Sequence, residues 1–196
     1  AWLLDRMDTC RRLASYLQIG QRISEHYIRL VSVGAIEASP DLPKRIRADF
    51  PANLDMQICA VRIESLILGD DWTAFSCGLK IAQEITTPDP AGETKFCAQD
   101  IGSDDRLNAL KEDLFWLLRG ISERLGGRSK SEVNILAPEL LANRPSAERL
   151  HKALTFLSMD QPEEAERELQ QVEDTGDPVW LQADAQRLLQ QGESMA

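Results

Sequence analysis

The sequence lacks any apolar run long enough to cross a membrane. A transmembrane helix needs about 18 or more apolar residues in succession, and the amino end has no basic segment followed by an apolar stretch. We therefore expect a soluble, cytoplasmic protein without an integral membrane segment. The chain begins at Ala1 rather than Met, which leaves open an earlier signal or anchor.

Positive charge is scarce. The chain has 22 Lys and Arg against 32 Asp and Glu, a net charge of −10, whereas nucleic-acid binding relies on clustered cations that displace counterions from phosphates. The densest basic cluster is Lys44, Arg45 and Arg47, within a segment rich in proline that we interpret as an ordered loop or short linker over 39–53. We predict no nucleic-acid partner.

Residues that carry chemistry are also few. His26 and His151 are the only histidines, and a metal or catalytic site needs several converging groups. Paired acids stand at predicted helix starts, where carboxylates stabilise the helix dipole: Asp70-Asp71, Asp104-Asp105 and Glu163-Glu164. We predict no catalytic residue, no metal site and no cofactor.

The four cysteines form no C-x-x-C pair. We interpret Cys10, Cys59, Cys77 and Cys97 as free thiols, since unpaired cysteine behaves as a small core hydrophobe. A disulfide between Cys59 and Cys77 is the alternative, because these two lie on consecutive predicted helices.

Apolar residues recur at steps of three and four along most of the chain, which predicts an all-α fold of about eight to nine helices in antiparallel hairpins. The pattern covers Leu3–Leu17, Ile23–Val31, Leu54–Ile67, Trp72–Ile85 and Leu107–Leu125. Gly20 interrupts it between the first two segments. The last segment is interpreted as a central core helix rather than a coiled-coil seam, and a short helix is predicted to open at Pro138.

Prolines and glycines divide the chain. The segment 86–103 contains Pro88, Pro90, Gly92 and Gly102, and we predict a linker or ordered loop there, between helical regions 1–85 and 104–196. The end of the chain predicts a hairpin over 146–178, with Ser146 as a cap and Pro162 opening its second helix, and a closing helix over 178–191.

Small and apolar residues in this hairpin stand at regular spacings. The positions are Ala153, Phe156, Ala165, Leu169, Val172 and Pro178. They resemble one degenerate tetratricopeptide repeat, from about Arg149 to Pro178, although Arg149 stands where that family often has Trp. The resemblance implies a repeat-like C-terminal part that binds a peptide or partner protein in a groove and has no chemistry of its own.

Aromatic residues supply the candidate partner-binding positions. We interpret the four tryptophans first as packing residues, with Trp2 as the exception because it lies beside Leu3 at the chain start. The candidate partner-binding residues are Trp2, Leu3, Phe156 and Trp180.

The function expected from these patterns is a non-enzymatic adaptor or chaperone-like subunit that binds another protein. The run Gly176–Trp180 is similar to small tetratricopeptide chaperones of bacterial secretion. Two alternatives stay open: an acid-rich all-α hydrolase of the nucleotide pyrophosphohydrolase kind, and a structural subunit that forms a homodimer through the stripe from Leu107 to Leu125.

Overall fold

The computed structural model of the chain describes residues 19–87, 96 and 103–173. Within these ranges the chain forms eight helices and no strand, so the predicted all-α fold is confirmed. The helices are α1 Ile19–Ser32, α2 Leu42–Asp49, α3 Leu54–Leu66, α4 Asp71–Thr86, α5 Asp104–Leu125, α6 Arg128–Leu140, α7 Pro145–Ser158 and α8 Pro162–Glu173.

The chain divides into two compact units, an N-terminal unit up to Leu136 and a C-terminal unit from Ala137. The division falls within α6. Most of segment 86–103, where the sequence predicts a boundary, lies outside the described residues. Phe96 is described within it and is fully buried.

Helix α3 is the centre of the N-terminal unit, because α1, α2, α4 and α5 all pack against it. A helix that is covered on every side needs few solvent-facing positions, and α3 has few. Its buried residues are Leu54, Asp55, Met56, Gln57, Ile58, Cys59, Ala60, Val61, Ile63, Glu64 and Ser65. The core therefore forms around one helix that also carries buried polar side chains.

Each polar side chain of α3 bonds to a neighbouring element. The Gly20 N–H of α1 donates to Asp55 Oδ2 at 2.7 Å, and the Arg47 guanidinium of α2 binds both oxygens of Glu64 at 2.8 and 2.5 Å. Arg62 makes bonds of the same kind. It donates to Ser24 Oγ of α1 and to both carboxylate oxygens of Asp113 in α5. Since a buried polar group without a partner costs free energy, these bonds fix which helix lies beside which part of α3.

Helix α5 is a core helix, as the sequence predicts. Leu110, Leu114, Leu118 and Ile121 are at most 4% exposed within the N-terminal unit, where α5 packs against α4 and α3. Ser103 caps its start through the N–H of Arg106, and Gly126 follows its end with φ +70°. Glycine adopts this left-handed conformation at little cost.

One local prediction about the N-terminal unit is wrong. The segment 39–53 contains helix α2, because Pro43 lies in the first turn of that helix, where its missing N–H costs nothing. Gly20 is the second residue of α1. The segment Leu3–Leu17 before it lies outside the described residues, so the predicted interruption stays a prediction. A Cβ atom at Gly20 would meet the Asp55 carbonyl oxygen at 2.4 Å, so the glycine permits close approach of α1 to α3.

The sequence also misplaces two helix starts further along. Pro138 lies inside α6 and does not open a helix. Helix α6 already begins at Arg128, directly after Gly126 and Gly127. Ser146 is a buried residue of α7 and not its cap. The cap position is Arg144, since Pro145 has the fixed φ that suits a first helical residue.

The C-terminal unit contains the hairpin α7–α8, and α8 begins at Pro162 as predicted. Arg149, early in α7, donates to Glu168 at 3.3 Å and to Gln171, both late in α8. The two helices therefore run antiparallel. Ala153 and Ala165 are buried, and small side chains allow helix backbones to approach. The predicted closing helix 178–191 lies outside the described residues.

Candidate functional site

The turn between α3 and α4 is built by backbone bonds and one capping side chain. Leu68 N–H donates to Ile63 O at 3.2 Å, and Asp70 N–H donates to Glu64 O at 3.1 Å. Gly69 adopts φ +67° between these bonds. Asp70 Oδ1 then accepts the N–H of Thr73 at 3.1 Å and begins α4. The end of α3 and the start of α4 therefore lie where the sequence predicts them.

Large apolar side chains are exposed around this turn. Leu66, the last residue of α3, is 52% exposed, and Trp72 at the start of α4 is 68% exposed. The Ser65 hydroxyl donates to Asp71 Oδ1 at 2.7 Å, which holds the two helix ends together. Leu66 and Trp72 therefore flank one corner of the N-terminal unit, which we call the apolar corner.

Charged groups border the apolar corner. Arg124, in the last turn of α5, donates from Nε to Asp71 Oδ2 and from Nη2 to Asp71 Oδ1, both at 2.8 Å. These bonds hold the pKa of the Asp71 carboxyl below its usual value and raise the pKa of Arg124. The bond from Thr73 likewise lowers the pKa of Asp70. An exposed apolar surface with a polar rim is typical of a protein-binding site.

The interpretation of Trp72 as a packing residue is wrong. The buried positions of α4 are Ala74, Phe75, Gly78, Ile81, Ala82 and Ile85. Extended backwards by one helical turn, this stripe reaches Asp71, and Trp72 lies about 100° further round the helix. The register of the stripe was the signal that could have identified the exposed tryptophan.

The four residues predicted to bind a partner are only partly described. Phe156 lies on α7 and is half-buried. Trp2, Leu3 and Trp180 lie outside the described residues. Their grouping therefore stays a prediction. Among the described residues, the structure adds Trp72 and Leu66 as exposed apolar side chains, which the sequence did not identify as partner-binding positions.

The cysteines and acids show no arrangement typical of catalysis in the described residues. Cys59 and Cys77 are free thiols, as predicted, while Cys10 and Cys97 lie outside the described residues. Burial raises the pKa of the Cys59 thiol to about 12 and raises that of Cys77 as well, so neither thiol is activated. Among the described residues, no three His, Cys, Asp or Glu side chains are grouped as metal ligands.

Of the helices that the structure describes, none has both the length and the apolar character of a membrane span.

Comparison with other proteins gives no relative. No protein-family model matches the chain, and no curated protein or solved structure is significantly similar to it. We therefore infer function from the contacts of the chain itself.

Proposed function

We propose that this chain is a non-enzymatic protein-binding module whose partner docks on the apolar corner. The observation that supports this most is the exposure of Trp72 and Leu66 beside the Asp71–Arg124 ion pair. Tryptophan and arginine are the residues that most often dominate protein interfaces. A partner that covers this corner removes two large apolar side chains from water and leaves the charged pair at the rim.

The narrower form of the proposal is an adaptor or chaperone-like subunit of a larger assembly. It is supported by the hairpin α7–α8, because its two helices run antiparallel and a tetratricopeptide unit is likewise built from two antiparallel helices. The similarity to bacterial secretion chaperones rests on residues 176–180, outside the described residues. It remains a prediction from the sequence.

The alternatives have less support. A homodimer through the stripe of α5 would need apolar side chains that are already buried inside the N-terminal unit. A nucleotide hydrolase would need clustered acids. Three acid pairs of the described residues instead stand at the starts of α4, α5 and α8. In a fourth pair, Glu112-Asp113 within α5, Asp113 binds Arg62.

Affinity capture with a matched pair of variants tests the proposal. Trp72→Ala removes the apolar corner's largest side chain, while Ile135→Ala removes one that is 74% exposed on α6. We expect Trp72→Ala to weaken binding of the captured partner about thirtyfold, equivalent to about 2 kcal/mol. Ile135→Ala should leave this affinity unchanged. Equal capture by both variants would contradict the proposal, as would turnover of a nucleotide panel without any captured protein.

A further inference from the structure

Three helix ends meet at the apolar corner. Helix α3 ends at Leu66 and α4 begins at Asp71, and Arg124 in the last turn of α5 donates from Nη2 to Ser65 Oγ at 2.6 Å. The carbonyl end of a helix carries about half a negative charge, and the amide end carries about half a positive charge. Two carbonyl ends and one amide end therefore give the backbone at this corner a slight excess of negative charge.

Asp70 adds a full negative charge that no cation balances. The charge of the neighbouring Asp71 is balanced by Arg124. Asp70 is exposed, and in the described part of the chain it bonds only to Thr73 and pairs with no cation. Because the bonds from Thr73 lower the pKa of Asp70, its carboxyl is ionised at neutral pH.

The other cations at the end of α5 and the start of α6 have acid partners of their own. Lys130 donates to Glu123, and Arg119 lies within 4.0 Å of the same carboxylate. Arg128 lies 2.9 Å from Glu132. None of these pairs includes Asp70, and the whole chain has a net charge of −10. The apolar corner is thus an exposed apolar surface with an uncompensated carboxylate at its rim.

This charge favours one kind of occupant over the others. The phosphates of a nucleic acid or of an anionic membrane would be repelled by the net charge of the chain and by Asp70. The same corner of a second copy has the same sign of charge, and like charges across an interface cost free energy. A protein segment with apolar side chains and a nearby Lys or Arg would instead bring the cation that Asp70 lacks.

We infer that the partner presents a basic amphipathic segment to the apolar corner, with apolar side chains on Trp72 and Leu66 and a Lys or Arg at Asp70. Asp70 and Trp72 are two residues apart at the start of α4, so neighbouring side chains of one segment can contact both. This inference rests on the proposed docking function, because it assigns the chemistry of the partner at the same surface.

Two synthetic peptides are the probes, titrated with the full chain and followed by fluorescence anisotropy. Both have leucines at helical spacing; one has lysine at the remaining positions and the other has glutamate there. We expect the leucine–lysine peptide to bind and the leucine–glutamate peptide not to bind. Equal binding of both peptides would overturn the basic partner. Binding of phosphatidylglycerol vesicles without binding of the leucine–lysine peptide would overturn it in favour of a membrane surface.

Two aspartate variants separate the local charge from the net charge of the chain. Asp70→Asn removes the carboxylate and keeps the cap of α4, because asparagine caps a helix about as well as aspartate. Asp104→Asn makes the same change in the first turn of α5, about 30 Å along that helix from Arg124. Asp70→Asn should weaken binding of the leucine–lysine peptide about threefold, and Asp104→Asn should weaken it much less. Equal losses would overturn the role of Asp70.

Salt separates the loss of a charge from the loss of a cap. At about 1 M salt the Debye length is about 3 Å, so the affinities of the wild type and Asp70→Asn should converge. A difference that persists at this salt concentration would overturn the charge as its cause. Trp72→Ala should weaken binding of the leucine–lysine peptide about tenfold at low and at high salt.

The two proposals about the apolar corner fail in different ways. If Trp72→Ala weakens binding of the leucine–lysine peptide and Asp70→Asn does not, the basic partner is overturned and the docking site stands. If Trp72→Ala has no effect, the peptide binds elsewhere and this inference is overturned. Affinity capture with Trp72→Ala and Ile135→Ala does not use these peptides, so it tests the docking site independently.

Discussion

The two units of this molecule bury their helices by different means. In the N-terminal unit, α3 is covered on all sides and carries buried Asp55, Gln57 and Glu64, each held by a bond to another element. In the C-terminal unit, the hairpin α7–α8 buries one face through Ala153 and Ala165 and leaves its ion pairs partly exposed.

The difference shows what each arrangement requires of the sequence. A helix with one apolar face needs only a stripe of small and apolar residues. A helix without a solvent face must satisfy every polar group from the surrounding elements. The N-terminal unit should therefore be sensitive to loss of single polar partners, and the hairpin to changes of side-chain volume.

Removal of the Glu64 carboxylate should give the largest effect. Glu64→Ala leaves the partly buried Arg47 guanidinium without its partner and should lower the free energy of unfolding by about 3 kcal/mol. Glu168→Ala removes the partly exposed partner of Arg149 in the hairpin and should cost about 0.5 kcal/mol. Urea unfolding, with amide hydrogen exchange to separate the units, measures both; equal losses would contradict the contrast.

Enlargement of a buried alanine should disturb the hairpin. Ala153→Leu adds three carbon atoms where the side chain is fully buried, and such overpacking costs about 2 kcal/mol. Lys152→Leu, at the exposed neighbouring position, should change stability by less than about 0.5 kcal/mol. Hydrogen exchange of the α7 and α8 amides measures the effect. Unchanged hydrogen exchange in Ala153→Leu would contradict the tight packing of the two helices at Ala153.

The close approach at Gly20 can be tested with a pair of glycines. Gly20→Ala places Cβ against the Asp55 backbone and should destabilise the N-terminal unit by about 1 kcal/mol. Gly120→Ala has open space within α5 and should stabilise that unit by about 0.5–1 kcal/mol through higher helix propensity. Thermal unfolding should therefore shift in opposite directions for the two variants, and a shift in the same direction would contradict the packing of α1 on α3.

Removal of the ion pair at the apolar corner should change the stability of the fold least, and the size of this change should depend on pH. Arg124 lowers the pKa of Asp71 from its usual 3.8, so the pair stabilises the fold above about pH 4 and this stabilisation is lost as pH falls through the lowered value. At pH 7, Asp71→Asn should cost at most about 1 kcal/mol, because Arg124 is partly exposed.

The difference between wild type and Asp71→Asn should shrink as the pH is lowered below 4 in urea unfolding. Asp49→Asn is the control, since Asp49 is exposed and takes part in no ion pair among the described residues. A gap for Asp71→Asn that is the same at pH 7 and at pH 2 would contradict the stabilising role of this pair.

Much of the helical layout could be predicted because its signals are local. Gly69-Asp70 and Gly126-Gly127 mark helix ends in the sequence, and the structure has ends there. The segment around Pro43 was misinterpreted because a helix with proline in its first turn has a composition similar to that of a loop.

The bonds of α3 and the candidate site depend on contacts that are distant in sequence. Arg62 meets Asp113 and Arg124 meets Asp71 across about fifty residues, which no local pattern encodes. The cleft lined by Arg47, Gln57 and Lys80 is likewise formed by α2, α3 and α4 together. Only the exposure of Trp72 had a local signal, in the register of the buried stripe of α4.

Photo-crosslinking at position 72 tests the proposed function most directly. The full chain should carry a benzophenone amino acid in place of Trp72 or, as a control, in place of Ile135. We predict one protein crosslinked at position 72 and not at 135, displaced by excess unlabelled wild-type chain but not by the Trp72→Ala chain. Crosslinking of the same proteins at both positions, or equal displacement by both competitors, would contradict the apolar corner as a docking site.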